Sequence, residues 1–318
     1  MDVLSEIFSS IRIDGSALAE MRCGGDWGVD MGAGDGIIFH YITEGECWLL
    51  GGTTPTRLSA GDLVVAMHWP AHALASSPES PLQTALDLVT ENHSEFWTGG
   101  TLDRPNILTA GTDTPDVRLL CSLFTLKGRG ASILIDRLPA LMHLSAKDQS
   151  LAPPLRMALD FIHYESQTTR PGYVAVASRL VDLLFIQVLR AVIEQPTIQI
   201  GLLAGLADPN VSRALAAIHS SPSSNWTVAT LAREACLSRT TFAERFRQMV
   251  GLTPIQYVGR WRMTIAEDLL SQSNQTIEQI RTQLGYGSSF VFARAFRAHS
   301  GQSPREYRRK AQTETPET

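Results

Sequence analysis

Cysteine and long apolar runs are scarce in this chain of 318 residues. The four cysteines (Cys23, Cys47, Cys121 and Cys236) are widely spaced and form no CxxC pair, which argues against a disulfide scaffold or a zinc ribbon. No apolar run reaches the ~18 residues of a membrane-spanning helix. The opening MDVLSEIF places no basic residues ahead of an apolar stretch, as a secretory signal would. We therefore expect a protein of the reducing cytoplasm without a membrane partner.

Motifs of several common enzyme classes are also missing. The sequence has no Walker loop, no GxSxG and no HExxH. Apolar residues make up 44% of the chain and charged residues 19%, so it can bury cores and is not a disordered protein. At roughly 100–200 residues per domain, the length predicts two domains.

Charge is divided unevenly along the chain. Residues 1–204 hold 13 Lys and Arg against 23 Asp and Glu, whereas residues 205–310 hold 14 against 7. A basic part following an acidic part indicates that one domain faces a polyanion. Helical domains also carry basic faces for solubility, so charge alone leaves both interpretations open.

Short β-prone runs fill residues 1–150, among them GIIFHYITEGECWLLGG, TRLSAGDLVVAMHW and VRLLCSLFTL. Runs of this length bounded by Gly, Pro or Asp are typical of an antiparallel barrel or sandwich. From Pro153 the apolar period becomes helical, and YVAVASRLVDLLFIQVLRAVIEQ is apolar on nearly every side. We expect residues 151–196 to pack on the barrel and to form a dimer interface. Residues 197–207 are predicted to be a linker.

Residues 227–307 contain an internal duplication. The segment TVATLAREACLSRTTFAERFRQMVGLTPIQYV returns as TIEQIRTQLGYGSSFVFARAFRAHSGQSPREYR. The two copies match at an offset of 49 in their first helix and of 50 in their second, so the second copy has gained one residue in its turn.

Each copy has the features of a helix-turn-helix. An apolar face in the first helix is followed by a short turn, CLS or GYGS, and then by two Phe at i, i+4. Capping residues stand at the expected helix ends, which are Thr227, Thr253, Thr276 and Ser303 as N-caps and Gly251 and Gly301 as left-handed C-caps. The segment RWRMTIAEDLL between the copies predicts a connecting helix.

The outward face of each second helix carries side chains that can bind double-stranded DNA. They are Arg239, Thr240, Thr241, Glu244 and Arg245 in the first copy, and Ser288, Ser289, Phe290 and Arg294 in the second. In a major groove Arg reads guanine and Glu accepts from cytosine N4, at ~1–3 kcal/mol of discrimination per good pair. The alternative is a plain helical bundle with solvated arginines, which does not account for the duplication on the basic part of the chain.

The blocks A…CLSRTTFAERFR…G.TP..Y and I…LGYGSSFVFARAFR…G.SP..YR resemble the AraC-type family of bacterial transcription regulators. The similarity covers residues 208–310 and leaves 311–318 as a tail. It implies two helix-turn-helix units, joined by the connecting helix, that read adjacent major-groove segments on one face of the DNA.

The resemblance also implies which side chains contact bases. These positions are Thr240, Ala243 and Glu244 in the first recognition helix, and Ser289, Phe290 and Arg294 in the second. Ala243 offers little beyond a methyl contact, so we expect the first copy to depend more on phosphate contacts from Arg239 and Arg245.

The segments FHYITEGECWL, AGDLVVAMHWPAHAL, VRLLCSLF and RLPALMHL resemble the cupin-type sensor domain of one branch of this family. The resemblance implies a pocket for a small-molecule effector, with His40, Trp48 and His72 as candidate lining residues. Metal-binding cupins usually present an HxH pair, a Glu and a later His. Here Tyr41 and Ile42 follow His40, so the pair is broken, while His72 stands where the later His would.

Two interpretations of the polar residues in the sensor half stay open. His40, His72 and Cys121 together would suit zinc or a similar divalent metal. Alternatively, the two histidines are hydrogen-bonded pocket residues, and the cysteine is a small buried hydrophobe.

The sequence thus predicts an α+β chain, with a cupin-like antiparallel β-barrel and a helical segment followed by an all-α domain of two helix-turn-helix units. The function expected is that of a dimeric, sequence-specific transcription regulator, an activator controlled by a small effector and contacting RNA polymerase, and not an enzyme. Two alternatives remain: a metal-dependent cupin enzyme with a DNA-binding appendage, and a DNA binder that needs no effector.

Overall fold

The computed structural model describes residues 5, 11–92, 106–128, 135, 138–147, 153–168, 170–194 and 201–314. Its chain divides into two compact units, one of residues 13–127 with 138–195, and one of residues 196–318 with 1–12 and 128–137. Residues 197–200 of the predicted linker and 315–318 of the predicted tail lie outside the described residues. No helix in the described part is both long and apolar enough to cross a membrane.

The first unit is built on β-strands. Those in its described part are β1 (Ile11–Gly24), β2 (Gly28–Asp30), β3 (Ile37–Glu44), β4 (Glu46–Leu50), β5 (Thr56–Ser59), β6 (Leu63–Ala66), β7 (Ala73–Ala75), β8 (Gln83–Thr84), β9 (Asn106–Gly111), β10 (Val117–Gly128) and β11 (Leu141–Leu144). Six of them form a sheet in the order β11-β6-β3-β10-β1-β9, and the other five form a second sheet in the order β5-β4-β7-β2-β8.

The α+β class is confirmed, but the described strands do not close into one antiparallel barrel. They lie in two sheets, and β1 pairs with β9, and β2 with β8, in parallel. Alternation of apolar residues along a strand fixes which face is buried. Alternation does not identify the neighbouring strand, so it could not predict the parallel pairings of β1 with β9 and of β2 with β8.

Buried apolar residues from both sheets form a common core that includes Val29, Leu49, Leu74, Leu108 and Leu119. Among the described residues three helices accompany the sheets: α1 (Ala85–Glu91), α2 (Pro153–Thr168) and α3 (Tyr173–Glu194). Phe185 of α3 packs edge-on against Phe124 of β10, with ring centroids 5.8 Å apart. Much of the apolar surface of α3 is therefore buried within its own unit.

The second unit is helical. In chain order it contains α4 (Leu202–Ala207), α5 (Pro209–Ser220), α6 (Val228–Glu234), α7 (Arg239–Val250), α8 (Pro254–Gln272), α9 (Ile277–Gln283), α10 (Ser289–Ser300) and α11 (Pro304–Glu314). Helix α4 lies in the segment predicted as a linker. Its Leu202 and Leu203 are buried, and the N–H of Gly201 donates to the carbonyl of Met249 at 2.6 Å.

The predicted helix ends are confirmed. Thr227, Thr253 and Thr276 each form a reciprocal capping box with the residue three positions later. The N–H of Glu306 donates to Ser303 Oγ, and the N–H of Ser303 donates to the Glu306 carboxylate. Gly251 and Gly301 end α7 and α10 with φ of 79° and 76°, the left-handed region that favours glycine.

The turn between the helices of each repeat also contains a left-handed residue. It is Gly285 (φ 75°) in the second copy but Cys236 (φ 54°) in the first, where the side chain is exposed. Both backbone N–H groups donate to the preceding helix, to the carbonyls of Thr282 and Arg233. The two turns begin in the same way, although the second is one residue longer, and Cys236 adopts this conformation with a Cβ that the left-handed region disfavours.

Replacing Cys236 by Gly should stabilise the second unit by up to about 1 kcal/mol, because relief of left-handed strain outweighs the added chain entropy of glycine. The measurement is thermal unfolding of the full chain. Gly285→Ala is the matched control and should destabilise, since its Cβ would overlap the carbonyl oxygen of Ser223. A destabilised Cys236→Gly protein would contradict this account of the turn.

Candidate functional site

Helices α7 and α10 show the same burial pattern at an offset of 50 residues. Phe242 and Phe246 are buried in α7, as are Phe292 and Phe296 in α10. Serines cap both helices: Ser238 Oγ accepts from the N–H of Thr241, and Ser288 Oγ from the N–H of Val291. Because the aromatic anchors are one helical turn apart, the opposite face of each helix is exposed.

On α7 the structure leaves Arg239, Thr240, Thr241 and Glu244 exposed, as expected for groove contacts, while Ala243 is half-buried. The hydroxyl of Thr241 lies 2.8 Å from Ser238 Oγ, so it also belongs to the helix cap. Thr240 and Glu244 remain the exposed polar side chains one turn apart at the centre of this face.

Arg245 has a partner within its own unit. Its Nε and Nη2 both donate to Asp208 Oδ2, at 2.8 and 2.5 Å. Asp208 is buried and also caps α5, accepting from the N–H groups of Asn210 and Val211. Burial alone would raise the pKa of Asp208, but the hydrogen bonds from Val211, Arg245 and Asn210 lower it overall. Arg245 therefore ties α7 to the start of α5, a role that the sequence did not reveal across a separation of 37 residues.

Arg245→Ala should destabilise the second unit by about 1–2 kcal/mol, because Asp208 stays buried without its cation. The loss is smaller than for a fully buried ion pair, since the side chain of Arg245 is 42% exposed. Urea unfolding of the full chain measures it. Asp208→Asn keeps the cap, and in that background Arg245→Ala should cost little.

The contribution of the Asp208 pair should depend on pH in one direction. The pKa of Asp208 is lowered in the folded chain, so the stabilisation is complete above the unfolded pKa of about 3.9 and is lost as the pH falls through the folded value.

The Arg245–Asp208 pair, here called the clamp, is refuted as a stabilising contact if Arg245→Ala costs as much in the Asp208→Asn variant as in the unaltered chain.

On α10 the two serines are engaged in local structure. Ser288 caps the helix, and Ser289 Oγ donates to Glu278 Oε2 at 2.9 Å. The hydrogen bonds from Arg281 and Ser289 lower the pKa of Glu278. Arg294 is exposed and lies over the ring of Phe290, 5.9 Å from the centroid, while Phe290 itself is 73% exposed. This cation–π pair is the prominent feature of the free face.

The first unit contains an apolar cavity that is partly open to solvent. Its lining comes from both sheets and from α1, namely Met21, Val29, Met31, Ile38, His40, Ala85, Leu88, Val89, Leu108, Cys121 and Leu123. Most of these residues were missed from sequence. The spacing of Ala85, Leu88 and Val89 at i, i+3 and i+4 was the available signal for the helical wall.

His40, Cys121 and His72 meet beside this cavity. His40 and Cys121 face each other in the antiparallel pairing of β3 and β10, which puts their side chains on one face. His40 Nδ1 lies 2.9 Å from Cys121 Sγ, and His40 Nε2 lies 2.9 Å from Nε2 of His72, the residue just before β7 of the other sheet. His72 Nδ1 lies 2.7 Å from the carbonyl oxygen of Pro70.

The three side chains form a chain and do not converge on one point. Cys121 and His72 lie at opposite edges of the His40 ring, so a metal ion at either ring nitrogen could reach only one of them. Among the described residues, no group of three or more His, Cys, Asp or Glu is arranged to hold a metal ion. This donor geometry gives the zinc hypothesis no support.

Trp48 does not come to the cavity. In β4 its neighbours Cys47 and Leu49 face the core between the sheets, and Trp48 points to the other face of the strand and is half-buried. Of the three candidate pocket residues, His40 lines the cavity, whereas His72 contacts His40 without being part of the lining and Trp48 is not part of it either.

Together these features define a chain with a tandem helix-turn-helix unit and a cupin-like unit that encloses an apolar cavity. Residues 2–194 match the family model described as Cupin, and residues 231–310 match the one described as Helix-turn-helix domain.

Curated relatives extend over the whole chain. The HTH-type transcriptional regulator AlkR of Acinetobacter baylyi is 34% identical over 318 residues, covering 98% of this chain and 100% of the relative. A putative AraC-like transcription regulator of Streptomyces lividans is 32% identical, covering 97% and 98%. Among solved structures, the DNA-binding domain of AdpA in complex with target DNA is 30% identical, covering 35% of this chain and 99% of that one, with a TM-score of 0.33.

The chain belongs to the AraC-type family of transcription regulators and carries an N-terminal cupin domain. It is a regulator with a DNA-binding domain and not an enzyme, so the hypothesis of a metal-dependent cupin enzyme is set aside.

Proposed function

We propose that this regulator reads its operator with the exposed faces of α7 and α10 and responds to a small apolar effector in the cavity of the cupin unit. The proposal that α7 and α10 read DNA is carried by their repeated burial pattern, which leaves corresponding positions of the two helices exposed. The second part is supported by the lining of the cavity, which is apolar except for His40 and Cys121.

The two faces offer different chemistry to the grooves. On α10, Arg294 can donate two hydrogen bonds to guanine, and Phe290 can contact a thymine methyl group. On α7, Glu244 can accept from cytosine, and Thr240 from either base edge. Phosphate contacts are proposed for Arg239, Thr241 and the capped helix N-termini, whose free N–H groups favour anions. Ser288 and Ser289 are proposed to orient α10 on the backbone.

Arg294→Ala should weaken binding to the operator by about 1–3 kcal/mol and relax selection at one or two base pairs, because a base-reading guanidinium is lost. The operator is first obtained by selection from random duplexes, and affinities are then measured on operator and random DNA at several salt concentrations. Arg213→Ala removes the same charge from the exposed face of α5 and is the matched control.

The control should leave base selection unchanged. A base-reading role for Arg294 is contradicted if its removal weakens operator and random DNA equally, since that pattern belongs to a phosphate contact.

Effector control requires that the ligand bind the DNA-competent arrangement better than the other arrangement. The cavity is where such a difference can arise, because its walls come from both sheets and α1. A chain whose footprint is the same with and without every cavity ligand would instead be an effector-independent DNA binder. Activation, and contact with RNA polymerase, remain predictions that follow from the family alone.

The dimer is proposed to form through α2. Much of the apolar surface of α3 packs within its unit, whereas α2 exposes Met157, Phe161 and Tyr164 by 71%, 47% and 48%. These side chains follow at i, i+4 and i+7, which makes a stripe along one face of the helix. Exposed apolar stripes of this kind mark association surfaces.

Phe161→Glu should convert a dimer into a monomer without loss of helix content, because a carboxylate in the middle of the stripe would be desolvated on association. Native mass spectrometry of the full chain measures the subunit number, and Glu165→Ala, on a buried side of the same helix, controls for general damage to α2. A Phe161→Glu protein that stays dimeric would exclude this face.

A further inference from the structure

The positions of the protons in the Cys121–His40–His72 chain follow from its last member. The carbonyl oxygen of Pro70 can only accept, so His72 carries its proton on Nδ1. Burial lowers the pKa of both imidazoles, and both are neutral. Nε2 of His72 is therefore an acceptor, and Nε2–H of His40 donates to it.

His40 Nδ1 is then the free acceptor of the ring, and it faces the thiol of Cys121 at 2.9 Å. The thiol donates to this nitrogen, a better acceptor than Sδ of Met21, which lies 3.5 Å from Cys121 Sγ. A nucleophile, a base and a group that orients the base thus stand in line, the arrangement by which proteins activate a cysteine.

We propose that Cys121 captures small apolar electrophiles, such as α,β-unsaturated ketones and aldehydes, in a covalent bond with His40 as general base. The inference rests on the proposed effector cavity and names the chemical class of ligand that it accepts. Cys121 and His40 both line this cavity, and the rest of its wall is apolar.

The addition is balanced without a co-reactant. A bond forms between Cys121 Sγ and the β-carbon of the ligand, and the π electrons of the C=C bond move toward the carbonyl. The thiol proton passes to His40 Nδ1 and from there to the α-carbon. One π bond is replaced by an S–C and a C–H bond, and nothing is oxidised or reduced. The protonated His40 can donate to both neighbours, so the rest of the chain keeps its hydrogen bonds.

Before any ligand binds, the neutral and hydrogen-bonded Cys121–His40–His72 chain favours apolar electrophiles over polar ligands. Every ring nitrogen of His40 and His72 already has a partner, so a polar ligand finds no unpaired group on them. Burial among Cys23 and Cys47 raises the pKa of Cys121, so the thiol has no charge to attract polar reagents and needs its base. Cys23 and Cys47 share the core but are not part of the cavity lining in the described residues.

The test uses the full chain with Cys236→Gly, which removes the exposed thiol. It is treated with 2-cyclohexen-1-one, and the adducts are located by intact mass and peptide mapping. We expect one adduct per chain, at Cys121, formed well before any at Cys23 or Cys47, whereas iodoacetate of similar size but negative charge labels Cys121 slowly. No adduct, or equal labelling of the three buried thiols, would overturn the proposal.

Variants at His40 and His72 distinguish a general-base role of His40 from a purely structural one. His40→Gln should slow labelling of Cys121 by roughly 100-fold, the lower end of general-base effects, while labelling of the unfolded protein is unchanged. His72→Gln, whose amide oxygen can still accept from His40, should retain most of the rate, whereas His72→Leu should not. If His40→Gln labels at Cys121 as fast as the chain that keeps His40, then His40 is not the general base.

The labelling is read by mass and needs no DNA, so it can fail independently of the proposed function. An adduct at Cys121 that leaves operator affinity unchanged would contradict effector control through this cavity while the covalent chemistry stands. Absence of an adduct would refute the covalent chemistry and leave effector control to a non-covalent ligand.

Discussion

The DNA-binding unit depends on how two phenylalanines fix the rotation of each recognition helix. Phe246 meets Tyr257 edge-on at 5.8 Å, and Phe296 meets Tyr307 at 5.4 Å in the corresponding contact of the second repeat. Aromatic pairs of this geometry combine large apolar burial with a preferred orientation. Because the anchored face is set, the exposed positions of α7 and α10 follow from helical geometry alone, and the capped ends fix where each helix starts.

The cupin unit depends on a different constraint, which is that its buried polar groups must satisfy one another. His40 has no exposure, and its two ring nitrogens can be paired only if Cys121 and His72 stand at its opposite edges. A network that is fully satisfied specifies one arrangement of the core. Here it joins β10 and β3 of one sheet to His72, the residue just before β7 of the other sheet, next to the cavity.

Local patterns in the sequence predicted the second unit well. Caps, apolar spacing and the Phe pairs each involve residues within one or two helical turns, and the duplication repeats each signal. The clamp between Arg245 and Asp208 was not predicted, because the partners are far apart in sequence and an arginine on a recognition helix equally suggests a phosphate contact. The strain at Cys236 could have been inferred, since Gly285 occupies the matching position.

For the first unit, the sequence predicted which polar residues meet but neither their geometry nor most of the cavity wall. His40, His72 and Cys121 do come together, but residue types alone could not show that they form a line instead of a ligand cage. Trp48 was expected to line the cavity, but its side chain is on the other face of β4. Which face of β4 points to the core depends on its pairing with β5 and β7, which the sequence does not show. The same limit hid the two parallel pairings, which join strands that are distant along the chain.

The two repeats are proposed to act as two separate readers of one duplex. Hydroxyl-radical and methylation footprinting of the full chain on its selected operator tests this most directly. We expect, for each protomer, two protected major-groove segments about one helical turn (10–10.5 bp) apart on the same face of the DNA, with Arg294→Ala weakening protection of only one of them. Protection of a single segment, or loss of both on that substitution, would contradict the account.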